Sequence, residues 1–215
     1  MPETYTINRD YPQPYQIQQI VQKLRQGAVM LYPTDTVMAI GCDVTHKQAV
    51  ERVRQLKRLS NDKPLTFLCP SLSLIATYAK VSDPAYRLMR KLIPGPYTFV
   101  LPATKLVPKL VMDPKRKTTG IRVPDHSLCQ ALLQELDNPI VSTSAKLGSS
   151  HPVPSLVLDP QDLEQLGKQV DLIVDDESPY HNEFSTVLDL TGASPQLVRQ
   201  GMGYEQVMEF LDIAP

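Results

Sequence analysis

Ala28-Val29-Met30-Leu31-Tyr32-Pro33-Thr34-Asp35-Thr36-Val37-Met38-Ala39-Ile40-Gly41-Cys42 holds two apolar runs parted by a four-residue break. Residues 28–32 form a short continuous apolar run, the pattern of a buried strand. Pro33-Thr34-Asp35-Thr36 joins a φ-locked proline to side chains that bond their own backbone, which marks a turn. Val37 to Cys42 reads as the next strand. Two strands that follow one another directly break strict βαβ order, so the sheet is expected to be mixed and the fold to be α/β or α+β.

Working outward, Ile17, Ile20, Val21 and Leu24 recur at helical spacing and Gly27 stops that helix. On the other side, Ala49, Val50, Val53 and Leu56 predict a second helix, and Leu65 to Cys69 a short strand. Ser82-Asp83-Pro84 reads as a cap followed by proline in the first turn, opening a helix to Leu92. Pro94-Gly95-Pro96 ends it. Tyr97 to Leu101, Gly120 to Val123, Pro139 to Val141, Val170 to Val174 and Thr186 to Leu190 are strand candidates. Ser127 to Leu136 and Tyr204 to Leu211 are helical. Gly148 to Pro160, with prolines at 152, 154 and 160, reads as a long loop.

The 215 residues suit one domain, 42% are hydrophobic, and no apolar run nears the ~20 residues of a membrane span. Met1 to Asp10 lacks the pattern of a secretory signal. Three well-separated cysteines (Cys42, Cys69, Cys129) argue against a disulfide framework and for a reducing cytoplasm, and the four histidines show no ligand spacing, so no metal site is expected. The net charge of -1 conceals two opposed parts. Residues 1–158 carry 20 Lys and Arg against 11 Asp and Glu, a net of +9; residues 159–215 carry 2 against 12, a net of -10. The basic body is either a solvated surface or a face for phosphates of a nucleotide or RNA. The acidic part is expected to pack on or beside such a groove rather than line it.

The chain has no G-x-G-x-x-G, no P-loop and no H-E-x-x-H. Four segments retain chemical interest. Thr34-Asp35-Thr36 sets hydroxyls at a strand-end turn, where they bind a small polar ligand or merely stabilise the turn. Lys57, Arg58 and Lys63 put three cations within seven residues, for phosphates or for a helix C-terminus. Arg122, inside the apolar strand of Gly120-Ile121-Arg122-Val123, needs an anionic partner, either a ligand or an internal Asp. Ser142-Thr143-Ser144-Ala145-Lys146 sets three hydroxyls and a cation where a strand ends.

In this order the segments resemble the YrdC/YciO family of threonylcarbamoyl-adenylate synthases, from about residue 13 to about 203. The matching pieces are Tyr32 to Thr36, Lys57, Lys63-Pro64-Leu65, Pro94 to Thr98, Gly120 to His126, Ser142 to Ala145 and Arg199-Gln200-Gly201. The resemblance implies a YrdC-like twisted open sheet around a concave basic groove. It implies synthesis of threonylcarbamoyl-AMP from L-threonine, bicarbonate and ATP with Mg²⁺, for modification of adenosine 37 in tRNA, with no protein nucleophile. By resemblance Thr36, Arg122 and Ser142 hold threonine, and Lys57, Thr118, Ser144 and Arg199 hold ATP, with Arg58, Lys63 and Lys146 as further phosphate cations.

Four positions depart from the family pattern. Leu59 stands for an Arg, with Arg58 one place early; Lys63 and Lys146 stand for Asn; Leu68 stands for a His that contacts threonine in typical members. Such exchanges swap neutral or fork-shaped donors for point charges and place the chain near the YciO-like branch. The alternative function is therefore a nucleotide- or double-stranded-RNA-binding relative with weak, lost or altered chemistry.

Overall fold

The computed structural model describes residues 1–60, 63–147, 160–178 and 183–212. Strand β1 (Glu3–Thr6) leads into helix α1 (Pro14–Arg25), whose Ile17, Ile20, Val21 and Leu24 form its buried stripe. At its end Gly27 takes a φ of +94°, a conformation only glycine adopts without strain. The two runs of the opening segment become β2 (Met30–Tyr32) and β3 (Ala39–Asp43), paired antiparallel with Leu31 opposite Ile40.

Beyond them come α2 (Lys47–Leu56), β4 (Thr66–Leu68), α3 (Leu72–Tyr78), α4 (Asp83–Leu92), β5 (Tyr97–Pro102), β6 (Thr118–Arg122), α5 (Ser127–Leu136) and β7 (Ile140–Ser144). The chain ends with α6 (Pro160–Gly167), β8 (Leu172–Asp175), β9 (Thr186–Asp189), β10 (Gln196–Arg199) and α7 (Tyr204–Asp212). The strands form one mixed sheet in the order β1-β8-β2-β3-β7-β4-β6-β5-β9-β10. Four elements carry too weak a pattern to be read in the sequence. The edge strand β1 buries only Tyr5, and all four residues of β10 are exposed. Helix α3 is announced only by its cap, where the Ser71 hydroxyl accepts from the Leu74 N–H. Pro160 does not close a loop; it opens α6. The rest of the expected 148–160 loop lies outside the described residues.

Strand alternation sorts the apolar residues onto two faces. Leu31, Ile40, Phe67, Phe99, Ile121 and Val141 join the core under α2, α3 and α4. On the opposite face α1 and α5 pack over Tyr5, Met30, Tyr32, Ala39, Leu68, Ile140, Leu172 and Val174. No residue of β5, β6, β9 or β10 enters this second cluster. Two helices thus cover one half of that face and leave the other half open.

Candidate functional site

The open half of the sheet carries a cavity of about 250 Å³. Its wall follows the register: Ala39 on β3, Ser142 and Ser144 on β7, Thr66 and Leu68 on β4, Thr118, Gly120 and Arg122 on β6, Thr98 and Val100 on β5, Val187 on β9 and Arg199 on β10. Serine, threonine and glycine on one face of strands whose other face is apolar are what a ligand groove over a sheet requires. Six sequence-predicted site residues meet here: Thr36, Thr118, Arg122, Ser142, Ser144 and Arg199.

At one end Arg122 is only 6% exposed. Its guanidinium forms an ion pair with buried Asp35, donates from Nη1 to Thr36 Oγ1 at 2.7 Å, and donates from Nε to the Gly95 carbonyl at 3.3 Å. Asp35 is thus the internal acid that makes burial of this cation tolerable, and its other oxygen accepts from the Asp125 N–H at 3.0 Å. Behind it, His126 Nε2 lies 3.1 Å from Asp176 Oδ2; burial pushes the His126 pKa down against the pull of Asp176.

Proton accounting defines what this end offers. Thr34 Oγ1 donates its single hydrogen to the Val37 carbonyl at 2.8 Å. In the 3.1 Å contact between Thr34 and Thr36 the donor is therefore Thr36. Thr36 Oγ1 gives its hydrogen to Thr34, accepts from Arg122 and keeps one lone pair. Tyr32, whose pKa is driven up by burial, donates to Ser142 Oγ at 2.7 Å and leaves the Ser142 O–H to donate elsewhere. The end thus presents one acceptor at Thr36, and donors at Ser142 and Arg122.

At the other end Arg199 arches over Phe184, 5.4 Å from the ring centroid, and is held by the Ser185 carbonyl (3.0 Å from Nε, 2.9 Å from Nη2) and hydroxyl (3.0 Å). Ser185 Oγ in turn shares a 2.9 Å bond with Thr98. Packing around the Arg199 guanidinium, and then the charge of Arg122, lower its pKa. Two cations facing one cavity without an acid in its wall, among the described residues, favour an anionic occupant. Sequence reasoning gave no role to Phe184, Ser185 or Thr98. The acidic C-terminal part also lines the cavity, through Phe184, Ser185, Val187 and Arg199, contrary to the expectation that it would stay beside it. Two of its acids are engaged elsewhere: Asp171 with Arg52 at 2.5 Å, Asp189 with Arg116 at 2.6 Å.

Four expected phosphate cations stand outside the wall. Lys57 Nζ donates to the carbonyl of Ser144 at 2.7 Å and to that of Lys146, clamping the end of β7. Arg58 takes a left-handed φ of +50° and is exposed, while Leu59 packs on the core. Lys63 is exposed, and buried Arg54 holds its carbonyl at 2.8 Å. Lys146 is half-buried. The left-handed backbone at Arg58 and the hold of Arg54 on the Lys63 carbonyl, neither legible from charge spacing, accompany the exposure of Arg58 and Lys63, while Lys57 is taken up by the end of β7. Among the described residues no group of His, Cys, Asp or Glu is arranged to hold a metal ion.

A sequence model of the Sua5/YciO/YrdC family, described as telomere recombination, matches residues 22–201. The chain belongs to that family. It is 41% identical to YciO of Escherichia coli over 94% of this chain and 97% of that one, and the crystal structure of E. coli YciO superposes with a TM-score of 0.84. It is 33% identical to the threonylcarbamoyl-AMP synthase of Vibrio vulnificus over 86% of this chain and 98% of that protein. Sua5 of P. abyssi complexed with L-threonine superposes with a TM-score of 0.82 at 27% identity, over 95% of this chain and 60% of that longer protein. The YrdC-like twisted open mixed sheet expected from the motifs is the fold observed.

Within this family fold Lys57 gives a pH prediction. Burial, reinforced by Lys146 and opposed by Asp162, pushes its pKa from 10.5 down to about 8. The folded chain then loses this proton at lower pH than the unfolded chain. The cost of burying the charge is present in full below about pH 8 and is relieved as pH rises towards 10.5. Stability of the wild type relative to Lys57→Met is expected to rise between pH 7.5 and pH 10 in denaturant titrations. A flat difference would show that Lys57 titrates in the ordinary range.

Proposed function

We propose that this cavity binds L-threonine and ATP and forms threonylcarbamoyl-AMP, the intermediate for modification of adenosine 37 in tRNA. The observation that carries this reading is the cavity on the uncovered sheet face, whose wall holds donors at Arg122 and Ser142, an acceptor at Thr36, hydroxyls at Ser144 and Thr118, and the cation of Arg199. The first three suit the carboxylate and N–H of an amino acid, and the other three suit phosphate oxygens. The names of the relatives support it.

In the reaction, the threonine amine and bicarbonate condense to a carbamate and release water. A carbamate oxygen attacks the α-phosphorus of ATP, the bond to the β-phosphate oxygen breaks, and pyrophosphate leaves. The substrate supplies the nucleophile, so the protein contributes orientation and charge neutralisation. Arg122 and Ser142 fix the amino acid; Arg199, Thr118 and Ser144 meet the phosphates; Lys57 fixes the Ser144 end through its carbonyl. Mg²⁺ would arrive on the phosphates of ATP, as substrate, with water completing its shell. The three free cysteines are buried, and burial raises their pKa values, so the thiols take no part in this chemistry.

The test is pyrophosphate release from ATP by the purified protein. Release that requires both threonine and bicarbonate is expected; background release with both present overturns the reading. A second reading is favoured by exposed Arg58, core-packed Leu59 and Leu68 in the wall: a relative that binds AMP or double-stranded RNA with altered chemistry. It expects binding that weakens steeply with salt, and no binding at low salt contradicts it.

A further inference from the structure

One strand, β4, separates Ser142 on β7 from Arg122 on β6, and it places Thr66 between them. The register sets Thr66 directly opposite Ser142 on one side and opposite Gly120 on the other, so the three residues share the cavity face. Arg122 lies two residues beyond Gly120 on that same face of β6. A glycine inside a strand weakens it, and marks a place where something must come close. Here a Cβ at Gly120 would fall 2.8 Å from Thr66 Oγ1, so the Thr66 hydroxyl leans towards β6 into the space that the glycine leaves. The other hydroxyls around this point are already engaged. Thr36 gives its hydrogen to Thr34 and accepts from Arg122, and Ser142 accepts from Tyr32. Thr98, which the β5–β6 register sets beside Arg122, shares its hydroxyl with Ser185 at 2.9 Å. Thr66 Oγ1 bonds to no other group among the described residues, and the residue is half-buried. It keeps its hydrogen and both lone pairs for whatever the cavity holds.

We propose that Thr66 selects for a hydroxyl on the side chain of the bound amino acid, so that L-threonine is taken and its isostere L-valine is refused. The proposal rests on the reading that the cavity holds an amino acid. With the carboxylate on Arg122 and Ser142 and the N–H on Thr36, the Thr66 hydroxyl stands beside the head group, where a hydroxyl on Cβ meets it. A site built to bond a substrate hydroxyl rejects the analogue that lacks it far more strongly than an apolar pocket does. Valine keeps the branching at Cβ but presses a methyl group on Thr66 Oγ1 and drives off water without replacing its bond, which costs the desolvation of that hydroxyl.

Calorimetric titration of the full chain with L-threonine and L-valine tests this. Threonine is expected to bind at least about tenfold more tightly than valine. A smaller preference overturns the proposal while leaving the amino-acid site standing. Binding of neither overturns the underlying reading and the proposal with it. Thr66→Val keeps the β-branched shape that a strand favours and removes only the hydroxyl, and is expected to lower the threonine-to-valine affinity ratio about tenfold. Thr66→Ser keeps the hydroxyl and is expected to retain the preference. An unchanged ratio in Thr66→Val assigns the selection to another group and overturns the role of Thr66. Loss of the preference in both variants shows that shape at this position sets it rather than the hydroxyl, which overturns the proposal equally. If Thr66→Val does not fold, Thr66→Ala makes the same comparison.

Discussion

Arg122→Ala is expected to cost about 3–5 kcal/mol of stability and to abolish L-threonine binding. Removal of the guanidinium leaves Asp35 inside the protein, 9% exposed, with no counter-charge. It also removes the donor that fixes the Thr36 hydroxyl and the bond to the Gly95 carbonyl. Breaking one side of a buried pair is much costlier than removing both sides, because the cost is that of the stranded charge. The double variant Arg122→Met with Asp35→Asn is therefore expected to recover much of the lost stability in denaturant titrations and none of the threonine binding. Recovery of both would show that Arg122 holds the fold and not the ligand.

Gly201→Ala is expected to cost about 1–3 kcal/mol or more, and to lower nucleotide affinity more than threonine affinity. A methyl group at this position would run into the Phe184 carbonyl, and would lie 2.8 Å from the Ser185 carbonyl oxygen. Both obstacles are backbone, so the segment itself must move. That segment is held by Thr186 Oγ1, which accepts from the Gly201 N–H at 3.1 Å and lies 2.9 Å from each of the Gly201 and Met202 carbonyls. Arg199 is two residues upstream and bonds Ser185, so displacement shifts the cation proposed for the phosphates. Gly192→Ala is the control, since its methyl would meet only the Ser194 carbonyl oxygen at 3.7 Å. Equal effects of the two substitutions on AMP binding would contradict this account of Arg199.

The elements with strong periodicity were legible from sequence because burial imposed the pattern: the α1 stripe, the β2 and β3 runs, and the capped start of α4, where Ser82 accepts from the Ala85 N–H. Strands β1 and β10 were not, since an exposed edge strand places little demand on its side chains. Among site residues, Arg122 announced itself as a charge in an apolar strand. Its partner Asp35 lay 87 positions earlier in a segment that read equally well as a plain turn. Ser185 and Phe184 reach the cavity only because β9 pairs with β5 across a long separation, which no local spacing encodes. The phosphate cations fared worst. Proximity in sequence put Lys57, Arg58 and Lys63 together, but backbone carbonyls capture Lys57, and the turn at Arg58 leaves both other side chains in solvent.

The most direct test of the central claim is a crystal structure of the protein with L-threonine and a non-hydrolysable ATP analogue. The account predicts one occupied cavity, with the threonine carboxylate on Arg122 and Ser142 and phosphate oxygens against Ser144, Thr118 and Arg199. Ligands bound elsewhere, or an empty cavity at saturating concentrations of both, would contradict it.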